Sequence, residues 1–145
     1  MAKLEQTAAS FRIFGKTRDQ QFDPKAITRL LNVEPTKSHA IGDLNQRAFK
    51  RTGAKSFWDF ASWHLAVERR EPGDLNNQIL ELLNLLPEDI AVWEYLSENY
   101  SVDIFSGLWL NGGNSGEVLE SGTLLKLGQR KIELQMDIYA DEFES

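Results

Sequence analysis

Alternation of apolar and polar residues opens the chain's first clear element. In "SFRIFG" (10–15), Phe11 and Ile13 share one face and Arg12 and Phe14 the other, the period-two pattern of a strand. "FDPKAITRLLN" then changes period. Asp23 is placed to cap a helix and Pro24 to occupy its first position, and Ile27, Leu30 and Leu31 follow as an apolar stripe. The helix is expected to stop near Asn32, because Pro35 disfavours the α conformation at Glu34. A short strand is predicted over 37–43, an exposed basic loop over 47–55, and a long strand over 56–68.

"EPGD" interrupts the chain, after which Leu75, Ile79, Leu82, Leu83 and Leu86 describe one face of a helix. Pro87 is expected to begin a second helix with Ile90, Trp93 and Leu96 turned inward. A strand follows over 100–110, then a flexible "NGGNSG" connection and a short helix over 121–130, with Gly128 either weakening it or marking its C-terminal end. The last strand, 131–140, places Ile132, Leu134, Met136 and Ile138 on one face. No repeat is visible. Strands and helices mix in both halves, which predicts one α+β domain over 1–145, with a core of about 10–140 and flexible ends. Its expected architecture is a single mixed or mostly antiparallel sheet with helices packed on one face.

The same alternation exposes an anomaly on the other face. In the predicted strand 56–68, Phe57, Ala61, Trp63, Leu65 and Val67 would meet the helices, leaving Trp58, Phe60, Ser62 and His64 behind them. In 100–110, Val102, Ile104, Leu108 and Leu110 point inward, leaving Asp103, Phe105 and Trp109; the last strand adds Lys131, Glu133, Gln135, Asp137 and Tyr139. A sheet with one solvated face normally carries polar residues there. Here the second face is aromatic and acidic, so Trp58, Phe60, His64, Asp103, Phe105, Trp109 and Tyr139 are the candidate binding residues. Such a patch marks either a binding surface or a second small core covered by the basic loop.

Composition narrows the chemistry. The 145 residues suffice to bury roughly 70% of the unfolded surface. The absence of cysteine excludes disulfides and thiolate catalysis. No nucleophile elbow, phosphate-binding loop or dinucleotide fingerprint is present, so no catalytic residue, metal or cofactor is assigned. His64 with Asp103 and Asp137 could form a His–carboxylate group on that face, of the kind that binds a metal or moves protons, and no ligand spacing supports it. His39, in "NVEPTKSHAIGD", has no partner histidine nearby and reads as structural.

The net charge of −6 divides unevenly: residues 1–70 carry thirteen Lys/Arg against seven Asp/Glu, and 71–145 carry three against fifteen. Arg47, Lys50, Arg51 and Lys55 have only Phe49 for base stacking, so nucleic acid is not the expected partner. The start lacks a signal peptide's apolar core and no apolar run reaches the roughly 20 residues of a membrane span, so a soluble cytoplasmic protein is expected.

Taken in order, "FRIFG", "DPKAITRLLNVEPTKSHAIGD", the Trp of "SFWDFASW", "ILELLNLLP" and "LLKLGQRKIELQMDIY" resemble an uncharacterised bacterial family, the domain of unknown function 4279. The resemblance runs from about residue 10 to 140 and implies a small α+β domain; it transfers no activity. The leading functional expectation is a non-enzymatic module that binds a protein, or a second copy of itself, through the aromatic sheet face. The alternative is a small-molecule-binding protein or enzyme with its site near Trp58, His64, Asp103 and Trp109.

Overall fold

The computed structural model describes residues 2–140. Over them the chain forms β1 (Ala2–Lys3), β2 (Gln6–Gly15), α1 (Pro24–Leu31), β3 (Lys37–His39), α2 (Gln46–Thr52) and β4 (Ser62–Ala66). These are followed by α3 (Leu75–Leu85), α4 (Ile90–Asn99), β5 (Tyr100–Trp109), β6 (Ser115–Gly116), α5 (Ser121–Gln129) and β7 (Glu133–Tyr139). Of the ends expected to be flexible outside about 10–140, residues 2–9 carry β1 and the start of β2, while Met1 and 141–145 lie outside the described residues. The main sheet has the order β3-β4-β2-β5-β7. Its inner pairings are antiparallel, and β7 joins β5 in parallel after the crossover through α5. A two-stranded pair, β1 with β6, lies apart from it. The architecture is α+β with a mixed sheet.

Helix α1 starts where Asp23 accepts the Lys25 N–H at 3.0 Å and ends at Asn32 in the left-handed conformation. Its Ile27 and Leu31 join the core. Phe11, at the centre of β2, meets Trp63 and Trp93 edge-on, with ring centroids 6.0 and 5.7 Å away. Both buried indole N–H groups are satisfied: Trp63 Nε1 donates to Thr28 Oγ1 and Trp93 Nε1 to the Pro87 carbonyl. Helices α1, α3, α4 and α5 supply the layer packed on this face of the sheet.

Polar pins lock that layer in register. Gln78, fully buried in the leucine stripe of α3, accepts from Thr7 Oγ1 at 2.6 Å and donates to the carbonyls of Thr7 and Glu68. Asn76 and Glu120 exchange two hydrogen bonds, joining the start of α3 to the segment before α5.

Several expectations change. The strand predicted over 37–43 ends at His39, where the Asp43 side chain accepts the Ala40 N–H and turns the chain, and the helix expected from Pro87 begins at Ile90. Strand β4 begins at Ser62, not 56, because its neighbours run out: Ser62 pairs with Phe14, one residue before β2 ends, and with His39, the last residue of β3. Phe57 is consequently 61% exposed and not in the core. The basic loop contains a helix, α2, capped by the Asn45 side chain on the Ala48 N–H and closed by Gly53 at φ 73°. Ile90 is not inward but 41% exposed, since α4 starts there behind its Asp89 cap. On β7, Met136 and Ile138 are each 57% exposed, because α5 sets only Thr123 and Leu127 into the core and leaves that end of the edge strand uncovered.

Candidate functional site

The outer face of the sheet is organised around Arg12. Its row across the strands reads Lys37, His64, Arg12, Asp103, Glu133. The guanidinium binds Asp103 in a two-pronged pair, Nε to Oδ1 and Nη2 to Oδ2, each 2.8 Å. Its flat faces meet the rings of Phe105, at 4.5 Å, and Phe14, at 5.0 Å. Asp103 is buried and Arg12 half-buried, so desolvation strengthens the pair's mutual dependence. Asp103 is thus consumed by Arg12, which also stands between it and His64. Asp137 accepts from the Tyr139 hydroxyl at 2.6 Å. The His64–Asp103–Asp137 combination is not assembled, and among the described residues no three metal-ligating side chains converge.

Arg12 divides the predicted aromatic face into two ends of different character. At one end Trp109 stacks on Tyr139 with centroids 4.7 Å apart, and the Arg69 guanidinium lies 4.8 Å from the Trp109 ring. Gly107 permits this: a Cβ there would meet the Trp109 ring at 2.8 Å.

The other end is concave. A cleft of about 870 Å³ opens between the outer face and the excursion carrying α2. Its volume falls within the range of small-molecule sites, roughly 300–1,000 Å³. One wall is aromatic. His39 and Trp58 stack in parallel, centroids 3.8 Å apart with 5° between the planes, and Phe60 meets both edge-on. Phe14 sets its ring against His64 at 5.4 Å. The opposite wall carries Arg47 and Arg51, one turn apart on α2, and Lys37 lies at the end of the row on β3.

Local structure explains the placement. Backbone hydrogen bonds from Gly42 N to Trp58 O and from Trp58 N to Asp43 O zip the two arms of the excursion together. Gln21 grips Ile41 with two hydrogen bonds, and the Asp43 side chain accepts the Ala40 N–H. The segment 37–43, where a short strand and a structural His39 are expected, thus holds His39 in the cleft wall, and Trp58 and Phe60 reach the cleft from a loop, not a strand.

Of the seven candidate residues, the structure brings Trp58, Phe60 and His64 together. Asp103 and Phe105 surround Arg12, and Trp109 with Tyr139 forms the separate stack. His39, Phe14, Lys37, Arg47 and Arg51 are cleft residues that alternation along the strands does not single out. Asn45 and Gly53, flanking a seven-residue segment with Arg47 and Arg51 four apart, are the signal in the sequence for α2.

Burial favours the neutral form of both histidines. Burial, reinforced by the positive charges of Lys37 and Arg12, pushes His64 down to about 4; burial also lowers His39. Ser62 Oγ lies 3.0 Å from His39 Nε2, while His39 Nδ1 is enclosed without a hydrogen-bond partner among the described residues.

A family model described as "Domain of unknown function (DUF4279)" matches residues 5–141, and the chain belongs to that family. Comparison with curated proteins and with solved structures finds no match. No helix among the described residues is long and apolar enough to cross a membrane.

A histidine whose folded value lies below its unfolded one takes up a proton more readily when the chain unfolds. The stability held by neutral His64 is therefore complete above its ordinary value of 6.5 and is lost as pH falls towards about 4. Urea melts across this window should show a shallower acid decline for His64→Gln than for the parent chain. Identical slopes would mean that His64 is not held neutral in the fold.

Proposed function

We propose that this member of the family is a binding domain, not an enzyme, and that it takes a flat organic ligand in the cleft between α2 and the outer sheet face. The observation that carries this reading is the Trp58–His39 stack on a cleft of ligand size. Parallel rings at 3.8 Å present a rigid apolar plane with little left to order on binding, and a planar ligand extends the stack. The hydroxyl–imidazole pair on the cleft, Ser62 Oγ with His39 Nε2 at 3.0 Å, has its serine buried at 1% exposure, and His39 Nδ1 has no carboxylate to orient it among the described residues. The pair therefore lacks the exposed nucleophile and oriented base that covalent catalysis needs. In a thermal-shift screen of planar organic compounds, ligands should raise the melting temperature by mass action. Trp58→Ala should weaken them about tenfold or more, the order expected of one lost stacking contact. Stabilisation that is equal in the parent and Trp58→Ala proteins would place the ligand elsewhere.

A second reading, association with a protein or a second copy, is favoured by the open edge of β7. Among the described residues that strand is paired only with β5 and exposes Met136 and Ile138, with Glu133 and Asp137 as its charges and no lysine or proline to blunt the edge. Light scattering should then show a concentration-dependent rise in mass that Met136→Lys abolishes; a constant monomer mass removes self-association.

A further inference from the structure

We propose that the ligand of the cleft is an anion carried on a planar ring, with the ring extending the Trp58–His39 stack and the anionic group held by Arg47, Arg51 and Lys37. This rests on the reading of the cleft as a ligand site and adds the charge class of the ligand. Three cations line the cleft, and none makes a salt bridge among the described residues; the ion pairs there are Arg12–Asp103, Arg18–Asp59 and Arg70–Glu81. Asp43 is the single acidic lining residue, and its carboxylate is engaged by the Ala40 N–H.

The two histidines add no negative charge; burial first of all depresses the protonation of His64, and the positive charge of Lys37 at the cleft adds to it. A protein of net charge −6 therefore presents, in this cleft of about 870 Å³, three cations against one carboxylate. Arginine forks suit carboxylate and phosphate equally. The repeated element is geometric: Arg47 and Arg51 stack on one side of α2, a helix with no buried side chain, so their direction serves the cleft and not the core.

The test compares matched ligands by isothermal titration calorimetry at low ionic strength. Indole-3-acetate is set against neutral tryptophol and cationic tryptamine, and adenosine 5′-monophosphate against adenosine. At least one anionic member should bind about tenfold or more tightly than its neutral analogue, and added salt should erode the difference. Preference in the indole arm assigns a carboxylate, in the adenosine arm a phosphate, and in both the shared anion. Arg47→Glu with Arg51→Glu should abolish the preference. Lys50→Glu with Lys55→Glu, which changes net charge equally outside the cleft lining, should preserve it.

Equal affinity for anion and neutral analogue, or a preference that survives reversal of Arg47 and Arg51, overturns the charge assignment and leaves the cleft as a ligand site. Binding of none of the probes removes both. An oligothymidylate bound more than about a hundredfold more tightly than the mononucleotide overturns the small-ligand assignment in favour of single-stranded nucleic acid.

Discussion

The Arg12–Asp103 pair is the constraint on which the outer face depends. Central strand β2 must present alternate side chains away from the helices, and a charge there, flanked by Phe14 and Phe105, survives only with a well-aligned partner. Asp103 supplies it from β5, directly across the ladder. Once made, the pair splits the aromatic face, adds its positive arm to the field at His64, and denies Asp103 any separate chemistry. The two sides of the pair differ because the chain's excursions over them differ. Towards β3 the α2 segment rises over the sheet and makes a cleft; towards β7 no such segment is described, and Trp109 and Tyr139 close on each other.

Much of the fold was legible because local and long-range signals agreed. Asp23–Pro24 fixed the start of α1, and the leucine stripe fixed the inward face of α3. The alternation through Val102, Ile104 and Leu108 set the buried face of β5. Legibility failed where an outcome depended on a neighbour's length. Residues 56–61 alternate like a strand, but β2 and β3 end opposite Ser62, so Phe57 has no core to enter. Met136 and Ile138 alternate as well as Leu134 does, but α5 is too short to cover them. The buried Asn76 and Gln78 interrupt an apolar stripe, and their partners, Glu120, Thr7 and Glu68, lie on other elements.

The candidate site was legible in part for the same reason. An aromatic outer face was visible from period two, and Trp58, Phe60 and His64 do converge. The cleft itself was not visible, because it is made by α2, whose sequence carries no apolar stripe and whose only signals are two caps. His39 looked isolated because its partners, Trp58 and Ser62, are 19 and 23 residues away and meet it only through the β3–β4 pairing and the zipped excursion. Part of the basic character of the first half also acquires a location: Lys37, Arg47 and Arg51 line the cleft, so a protein acidic as a whole carries a cleft lined by three cations.

Four tryptophans make the central claim directly observable. Trp63 and Trp93 are buried with their indole N–H groups bonded inside the core, Trp109 lies in the far stack, and Trp58 alone borders the cleft. In a ¹⁵N–¹H correlation spectrum recorded while adenosine 5′-monophosphate or indole-3-acetate is added, the Trp58 indole resonance should move with saturation and the other three should stay in place. Movement of the Trp109 resonance with Trp58 unaffected would put the binding surface at the wrong end of the sheet and contradict the cleft as the site.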